Sequence, residues 1–228
     1  MKTVYVITHP EVVIDPNVPI PQWPLSAKGR ERIAGLMRGT LLTQVTAVYT
    51  SDEQKAIDGA WMIAQPLGLK IVKVPTLGEI DRSSTGYLPR EKHDENAKLL
   101  FKHPHDSIEG WEIAIEAQYR MVTTVYRILE FDKTSGPIVI MTHGAVGSFL
   151  YSHLKKRKIS LADSPKAPGG GGIFSFEGET LKVLTDWQDI DVFAPKIETR
   201  SKSEMVNNQP SPQVALGRDV KNSTETRI

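Results

Sequence analysis

Two histidines stand at matching places, each directly after a run of apolar residues that ends in threonine. The run from Lys2 to Thr8 leads into His9, and the run from 137 to 142 leads into His143. Short apolar runs rich in β-branched residues are typical of strands that are covered on both faces of a parallel sheet. Ligands bind at the carboxyl ends of such strands, so the two imidazoles could share one crevice.

A lone histidine at the end of a strand is more often a hydrogen-bonded structural residue than a catalytic one. The matched pair favours chemistry, because an imidazole can attack phosphorus or bind an anion. Three other groups fall at predicted strand ends. Ser51, with Gln54 three residues later, resembles a capping-box helix start, Lys55 follows in its first turn, and Glu79 comes after the third strand. Together these groups suit an anion site with a nucleophile and a proton donor.

Strands alternate with helices along most of the chain. The patterns predict helices at about 26–38, 51–66, 109–131 and 144–154, between strands at 2–8, 45–50, 70–74 and 138–142, with final strands at 173–176 and 181–184. This alternation predicts an α/β fold with three layers and a doubly wound, mostly parallel sheet. We expect one domain over residues 1–194 and a disordered tail over 195–228, because the tail is polar and poor in apolar residues.

Several segments interrupt this alternation of strands and helices. The proline-rich stretch 11–25 predicts a long ordered loop, in which Trp23 could either close a pocket or anchor the loop. Residues 81–110 predict an inserted cap with a short helix near 91–101. Its histidines at 103 and 105 are held apart by a proline and have no carboxylate triad nearby, so we predict exposed side chains and no metal site. Gly169 to Gly172 matches no nucleotide motif and predicts a flexible turn.

The composition excludes several classes of function. The chain has 228 residues with 28 basic and 27 acidic side chains, so no overall charge attracts nucleic acid or an anionic membrane. It contains no cysteine, which excludes disulfides, thiolate catalysis and Cys-ligated zinc. No apolar run is long enough to span a bilayer, and the first strand begins at once, so we expect a cytoplasmic protein. The last residues, Thr226-Arg-Ile228, fit a β-augmenting peptide-binding domain, but such short matches often arise by chance.

Five segments carry a resemblance to a known family. In chain order they are Thr8-His9-Pro10, Leu25 to Gly29, Tyr49 to Ala60, Leu77-Gly78-Glu79 and Thr142-His143-Gly144. Their order and spacing resemble the histidine phosphatase superfamily, which has the phosphoglycerate mutase-like fold. The resemblance implies that His9 is the nucleophile, that Glu79 protonates the leaving group and that His143 contacts the transferring phosphoryl group. It also implies a phosphate-binding set made of Thr8, Ser51, Lys55 and Gly144, with neither metal nor cofactor.

Three departures from the family motifs concern phosphate binding. Thr8 and Lys55 stand where the family has arginines, and Pro10 stands where it has glycine. Threonine offers one neutral donor and lysine a point charge, whereas arginine binds two phosphate oxygens at once. Losing one preorganised donor can slow a reaction ~10²–10³-fold. Whether Arg82, Arg90 or Lys92 of the cap refills the pocket is left open by the sequence.

These observations lead to competing functional hypotheses. The first is a phosphomonoester hydrolase that acts through a phosphohistidine at His9 on a small phosphorylated substrate. The second is a catalytically degenerate member that binds an anionic ligand or a partner. A mutase is disfavoured, because holding a phosphorylated intermediate for a second acceptor should require a more cationic pocket.

Overall fold

The computed structural model describes residues 2–195, and in this part of the chain six strands form one sheet. The strands are β1 (Thr3–Thr8), β2 (Ala47–Thr50), β3 (Ile71–Lys73), β4 (Ile138–Thr142), β5 (Gly172–Glu177) and β6 (Val183–Asp189). Their order across the sheet is β3-β2-β4-β1-β5-β6. The first four strands are parallel, while β5 and β6 pair antiparallel at one side. The predicted mostly parallel sheet is therefore confirmed.

Helices cover both faces of this sheet. They are α1 (Ala27–Arg38), α2 (Gln54–Ala64), α3 (Arg90–Lys102), α4 (Ala114–Phe131) and α5 (Gly144–Leu154). On one face, buried residues of α1 and α2 such as Ile33 and Ile63 share a core with β2 and β4. On the other face, α4 and α5 bury Met121 and Phe149 in a second core. All five residues of β4 are buried, as expected for a strand between two helical layers.

Strand register places the two candidate histidines at the same level. β1 and β4 pair in parallel with Thr8 opposite Thr142. The ladder continues one step further, since the His9 N–H donates to the Thr142 carbonyl at 3.1 Å. Parallel strands that end in register deliver the residues that follow them to one edge of the sheet, so His9 and His143 leave the sheet side by side.

Several predicted boundaries are wrong. Helix α2 begins at Gln54 and not at Ser51, and its N-cap residue is Glu53. The Ser51 hydroxyl lies 2.8 Å from His143 Nε2 and accepts the Glu53 N–H at 3.3 Å. Helix α4 begins at Ala114, since Glu109 and Gly110 adopt positive φ values of 53° and 79° in a turn. The last strand is Val183–Asp189 rather than 181–184, because Leu181 lies in the hairpin turn with φ 60°.

The two irregular segments are packed against the domain. In the proline-rich loop, the Trp23 indole N–H donates to the carbonyls of Asp15 and Val18, both at 2.9 Å, so this ring anchors the loop. In the segment predicted as a cap, α3 buries Leu100 and Phe101 in the core shared with α4 and α5. His103 and His105 are exposed.

Two further observations delimit the structure. Within residues 2–195, no helix combines the length and the apolar character needed to cross a membrane. The predicted tail from residue 196 onward, with its terminal Thr226-Arg-Ile228, lies outside the described residues.

Candidate active site

His9 is held in a fixed tautomer at the end of β1. Its Nδ1 lies 2.9 Å from the Pro10 carbonyl oxygen. A carbonyl only accepts hydrogen bonds, so Nδ1 carries the proton and Nε2 keeps a free lone pair. The residue is mostly buried, with only part of its surface exposed, and it lines a cavity of about 500 Å³. Proline at position 10 thus preserves the carbonyl that orients the imidazole.

His143 lies next to His9 and is fully buried. The ring centroids are 5.1 Å apart in an edge-to-face arrangement. His143 Nε2 is 2.8 Å from the Ser51 hydroxyl and 3.2 Å from a carboxylate oxygen of Glu53, while Nδ1 has no hydrogen-bond partner within residues 2–195. Because an ionised carboxylate only accepts, Nε2 carries the proton and Nδ1 is the nitrogen left for a ligand.

Burial keeps both imidazoles uncharged. Desolvation, aided by the charge of Lys55, lowers the pKa of His9 to about 4. The pKa of His143 is lowered well below its usual value, again mainly by burial, although Glu53 opposes that shift. At neutral pH His9 is therefore a free base, which is the form that a nucleophile requires.

Glu79 is oriented by the start of helix α5. Its two carboxylate oxygens accept hydrogen bonds from the backbone N–H groups of Ala145 at 3.1 Å and Val146 at 3.3 Å, and from that of Ile80 at 3.0 Å. Gly144 precedes these donors as the first residue of α5. Both Glu79 and Gly144 line the same cavity as His9, so the candidate nucleophile and the candidate acid border a common space.

Lys55 is buried and already paired. Its ammonium group donates to the carboxylate of Glu53 and, at 3.1 Å, to the Ile20 carbonyl of the proline-rich loop. Its side chain is 4% exposed, so almost none of it faces solvent. The ammonium group of Lys55 is thus used inside the protein.

Glu53 is the site residue that sequence reasoning missed. One of its oxygens binds Lys55, while the other lies near His143 and accepts the Glu79 N–H at 2.8 Å. Burial opposes its ionisation, but His143, Lys55 and the two hydrogen bonds lower its pKa to about 2. Since His143 is neutral at neutral pH, the ammonium of Lys55 supplies the stabilising charge. The sequence signal was an acidic residue two positions before the lysine.

Thr8 turns its hydroxyl toward the sheet. The oxygen accepts from the Gly172 N–H at 2.9 Å and lies 3.4 Å from the Gly172 carbonyl. The side chain is buried at the junction of β1 with β5. Although Thr8 contributes to the cavity wall, its hydroxyl is committed to the backbone.

A glycine turn and a buried arginine hold the backbone around His9. Gly169, Gly170 and Gly171 all have φ between 75° and 86°, a region that favours glycine. A side chain on Gly170 would collide with the His9 carbonyl oxygen, and the Gly171 N–H donates to that oxygen at 3.1 Å. The segment predicted as a flexible turn is therefore closely packed against the candidate nucleophile.

Arg32 of α1 connects this turn to the rest of the domain. Its guanidinium pairs with Glu11 at 2.9 Å, Asp189 at 2.7 Å and Asp191 at 3.0 Å, and it also donates to the Gly170 carbonyl at 3.1 Å. Sequence reasoning gave no sign of this network, because Glu11 lies more than 170 residues before Asp189 and Asp191 along the chain.

Comparisons with known proteins identify a family for this chain. The model of the histidine phosphatase superfamily, branch 1, matches residues 20–185, a range that contains Glu79 and His143 but begins after His9. No curated protein sequence matches the chain.

Solved structures share the fold at low sequence identity. A mycobacterial glucosyl-3-phosphoglycerate phosphatase in complex with VO3 superposes with a TM-score of 0.65 at 17% identity, covering 83% of this chain and 99% of that one. Bacillus stearothermophilus YhfR gives 0.65 at 22% identity, with 81% and 96% covered. A structure named mycobacterial hydrolase 1 gives 0.64 at 18% identity, with 82% and 95% covered.

The sequence match covers more than half of the chain, and the fold of these neighbours is the one built here around the two histidines. The chain therefore belongs to the histidine phosphatase superfamily, branch 1.

Proposed function

We propose that this protein hydrolyses small phosphomonoesters through a phosphohistidine at His9. The observation that carries the proposal is the arrangement of His9. Its Nδ1 proton is held by Pro10, its unprotonated Nε2 is available, and its ring lies beside His143 and lines the cavity that Glu79 also lines. The mycobacterial neighbour has been solved with both VO3 and inorganic phosphate, which supports a small anion as the ligand of this fold.

In the first step, Nε2 of His9 attacks phosphorus and the bond to the leaving oxygen breaks. Glu79, in its protonated form, gives its proton to that oxygen, so an alcohol departs and a phosphohistidine remains. In the second step, Glu79 takes a proton from water, the water oxygen attacks phosphorus and the N–P bond breaks. His9 and phosphate are regenerated, and Glu79 is protonated again.

His143 would bind the phosphoryl group through Nδ1. The approach of a dianionic phosphate raises the pKa of a neighbouring imidazole, which allows His143 to take up a proton and donate it in a hydrogen bond. Glu53, on the opposite nitrogen, stabilises the resulting imidazolium. The same residue thus supports His143 while it neutralises Lys55.

The test is to trap the intermediate. Wild-type protein, His9→Gln and the control variant His105→Gln, which changes an exposed histidine, are incubated with a panel of phosphomonoesters and quenched in base, where phosphohistidine survives. With wild type and His105→Gln we expect phosphohistidine on the protein and release of phosphate. With His9→Gln the rate of phosphate release should fall at least ~10³-fold. Equal rates for His9→Gln and wild type would refute the proposal.

One observation favours a second candidate function, that of an anion-binding member without turnover. Glu53 neutralises the buried cation that replaces the family's second arginine, and the first arginine position holds a threonine whose hydroxyl is already bonded. This candidate predicts that vanadate raises the melting temperature while no phosphohistidine forms with any ester of the panel. Detection of phosphohistidine on the protein would exclude this second candidate.

A further inference from the structure

Arg82 lies between two cavities at the edge of the candidate active site. It follows Glu79 by three residues and contributes to the wall of the cavity that contains His9 and to that of a second cavity of about 510 Å³. Its side chain is half-buried. The two cavities also share Glu79 and Ile80, so Arg82 belongs to the part of the wall that they have in common.

The guanidinium of Arg82 is unpaired within residues 2–195, in contrast to other arginines of this region. Arg120 pairs with Glu112 at 2.7 Å, and the exposed Arg90 lies 3.7 Å from Asp94. Around Arg82 no carboxylate lies within ion-pair distance among the described residues. A partly buried cation without a partner keeps its donors available for an anion that enters the cavity.

Lys55 offers the opposite case. It lines neither of the two cavities, and its ammonium is occupied by Glu53 and Ile20. Among the described residues that line the cavity of His9, Arg82 is the one lysine or arginine. The basic residue that shares a cavity with His9 therefore comes from the loop after Glu79 and not from helix α2.

The positive charge of Arg82 also acts electrostatically on both imidazoles. It contributes to the lowered pKa of His9 and to that of His143, although burial is the larger cause in each case.

We propose that Arg82 is the phosphate-binding arginine of this site and replaces the two arginines that the family motifs would place at positions 8 and 55. Its planar fork would hold two oxygens of the phosphoryl group opposite the His9 ring. The inference rests on the proposed function for the identity of the ligand, but it concerns binding and does not require turnover. The guanidinium contributes no proton and forms no covalent bond.

Titration of the full-length protein with inorganic phosphate and with vanadate, followed by calorimetry, tests this role. Four proteins are compared, namely wild type, Arg82→Gln, Arg82→Lys and the control Arg90→Gln, which removes an arginine that is 93% exposed. We expect Arg82→Gln to raise the Kd for phosphate ~10–100-fold, as the loss of charge-assisted hydrogen bonds implies. The Kd of Arg82→Lys should lie between those of wild type and Arg82→Gln, and the Kd of Arg90→Gln should match that of wild type.

A second readout separates binding from structure. Because the positive charge of Arg82 lowers the pKa of His9, Arg82→Gln should raise that pKa in ligand-free protein, as followed by NMR, while the melting temperature without ligand stays unchanged. Equal phosphate affinity of Arg82→Gln and wild type, or no phosphate binding by wild type, would overturn the role of Arg82. Arginine-dependent binding without a phosphohistidine would support it and overturn only the hydrolase.

Discussion

The two sides of the candidate crevice use their polar groups in opposite ways. On the histidine side, at the ends of β1 and β4, His9 keeps a free Nε2 and His143 an unpartnered Nδ1. On the α2 side, Ser51, Glu53 and Lys55 are bonded to His143, to each other or to backbone. One side leaves its groups available for a ligand, whereas the other satisfies them internally.

This difference follows from the cost of burying charge. A lysine buried at position 55 must have a partner, because an isolated ammonium is very unfavourable away from water. Glu53 supplies that partner two residues earlier. A buried lysine is available to an anionic ligand only if its neighbours leave its charge unpaired, and at position 55 they do not. Four predictions test how independent the two sides are.

The largest effect is expected on the histidine side, from Arg32→Met. This change leaves Glu11, Asp189 and Asp191 without their shared cation and should lower the free energy of unfolding by about 5 kcal/mol. Denaturant titration measures it. The control Arg30→Met removes a more exposed ion pair with Asp58 and should cost about 1 kcal/mol or less. Similar losses for both variants would show that the Arg32 network does not hold this side together.

On the α2 side, Lys55→Met should lower the free energy of unfolding by about 3 kcal/mol, because Glu53 would remain buried without its cation. The double variant Glu53→Gln with Lys55→Met should recover most of that loss, since no uncompensated charge is left. If the double variant is less stable than Lys55→Met alone, the two residues do not form the closed pair described here.

A smaller loss of stability is expected from Thr8→Val. It leaves the Gly172 N–H without its acceptor, which should cost about 1–3 kcal/mol in denaturant titration. Thr8→Ser keeps the hydroxyl and should stay close to wild type. Because the hydroxyl is turned toward β5, the affinity for vanadate should be unchanged in both variants. A weaker affinity of Thr8→Val alone would assign the hydroxyl to phosphate binding after all.

The mildest perturbation is a change of pH without any substitution. His9 should titrate at about pH 4 in ligand-free protein, whereas an unfolded chain takes up this proton near pH 6.5. The unfolded state then binds more protons between these values, so this group's contribution to stability is complete above pH 6.5 and is lost as the pH falls toward 4. NMR of the imidazole measures the midpoint. A midpoint near 6.5 would contradict the burial of this side.

Local sequence patterns determined the histidine side of the site. Two apolar runs of strand length, each ending in Thr-His, fix a buried strand and the residue that follows it, and parallel pairing then brings His9 and His143 together. The expected fold class and family are confirmed for the same reason, because burial periodicity and motif order are properties of the chain itself.

Only the tertiary structure decided which charged and polar groups pair with each other. The partner of Lys55, the direction of the Thr8 hydroxyl and the cavity that Arg82 lines depend on side-chain directions and on distances between segments remote in sequence. The contact of the Ser51 hydroxyl with an imidazole 92 positions later belongs to the same group. Hydrophobic patterning acts along a strand or helix, whereas electrostatic pairing acts through space and is settled only when the elements have packed.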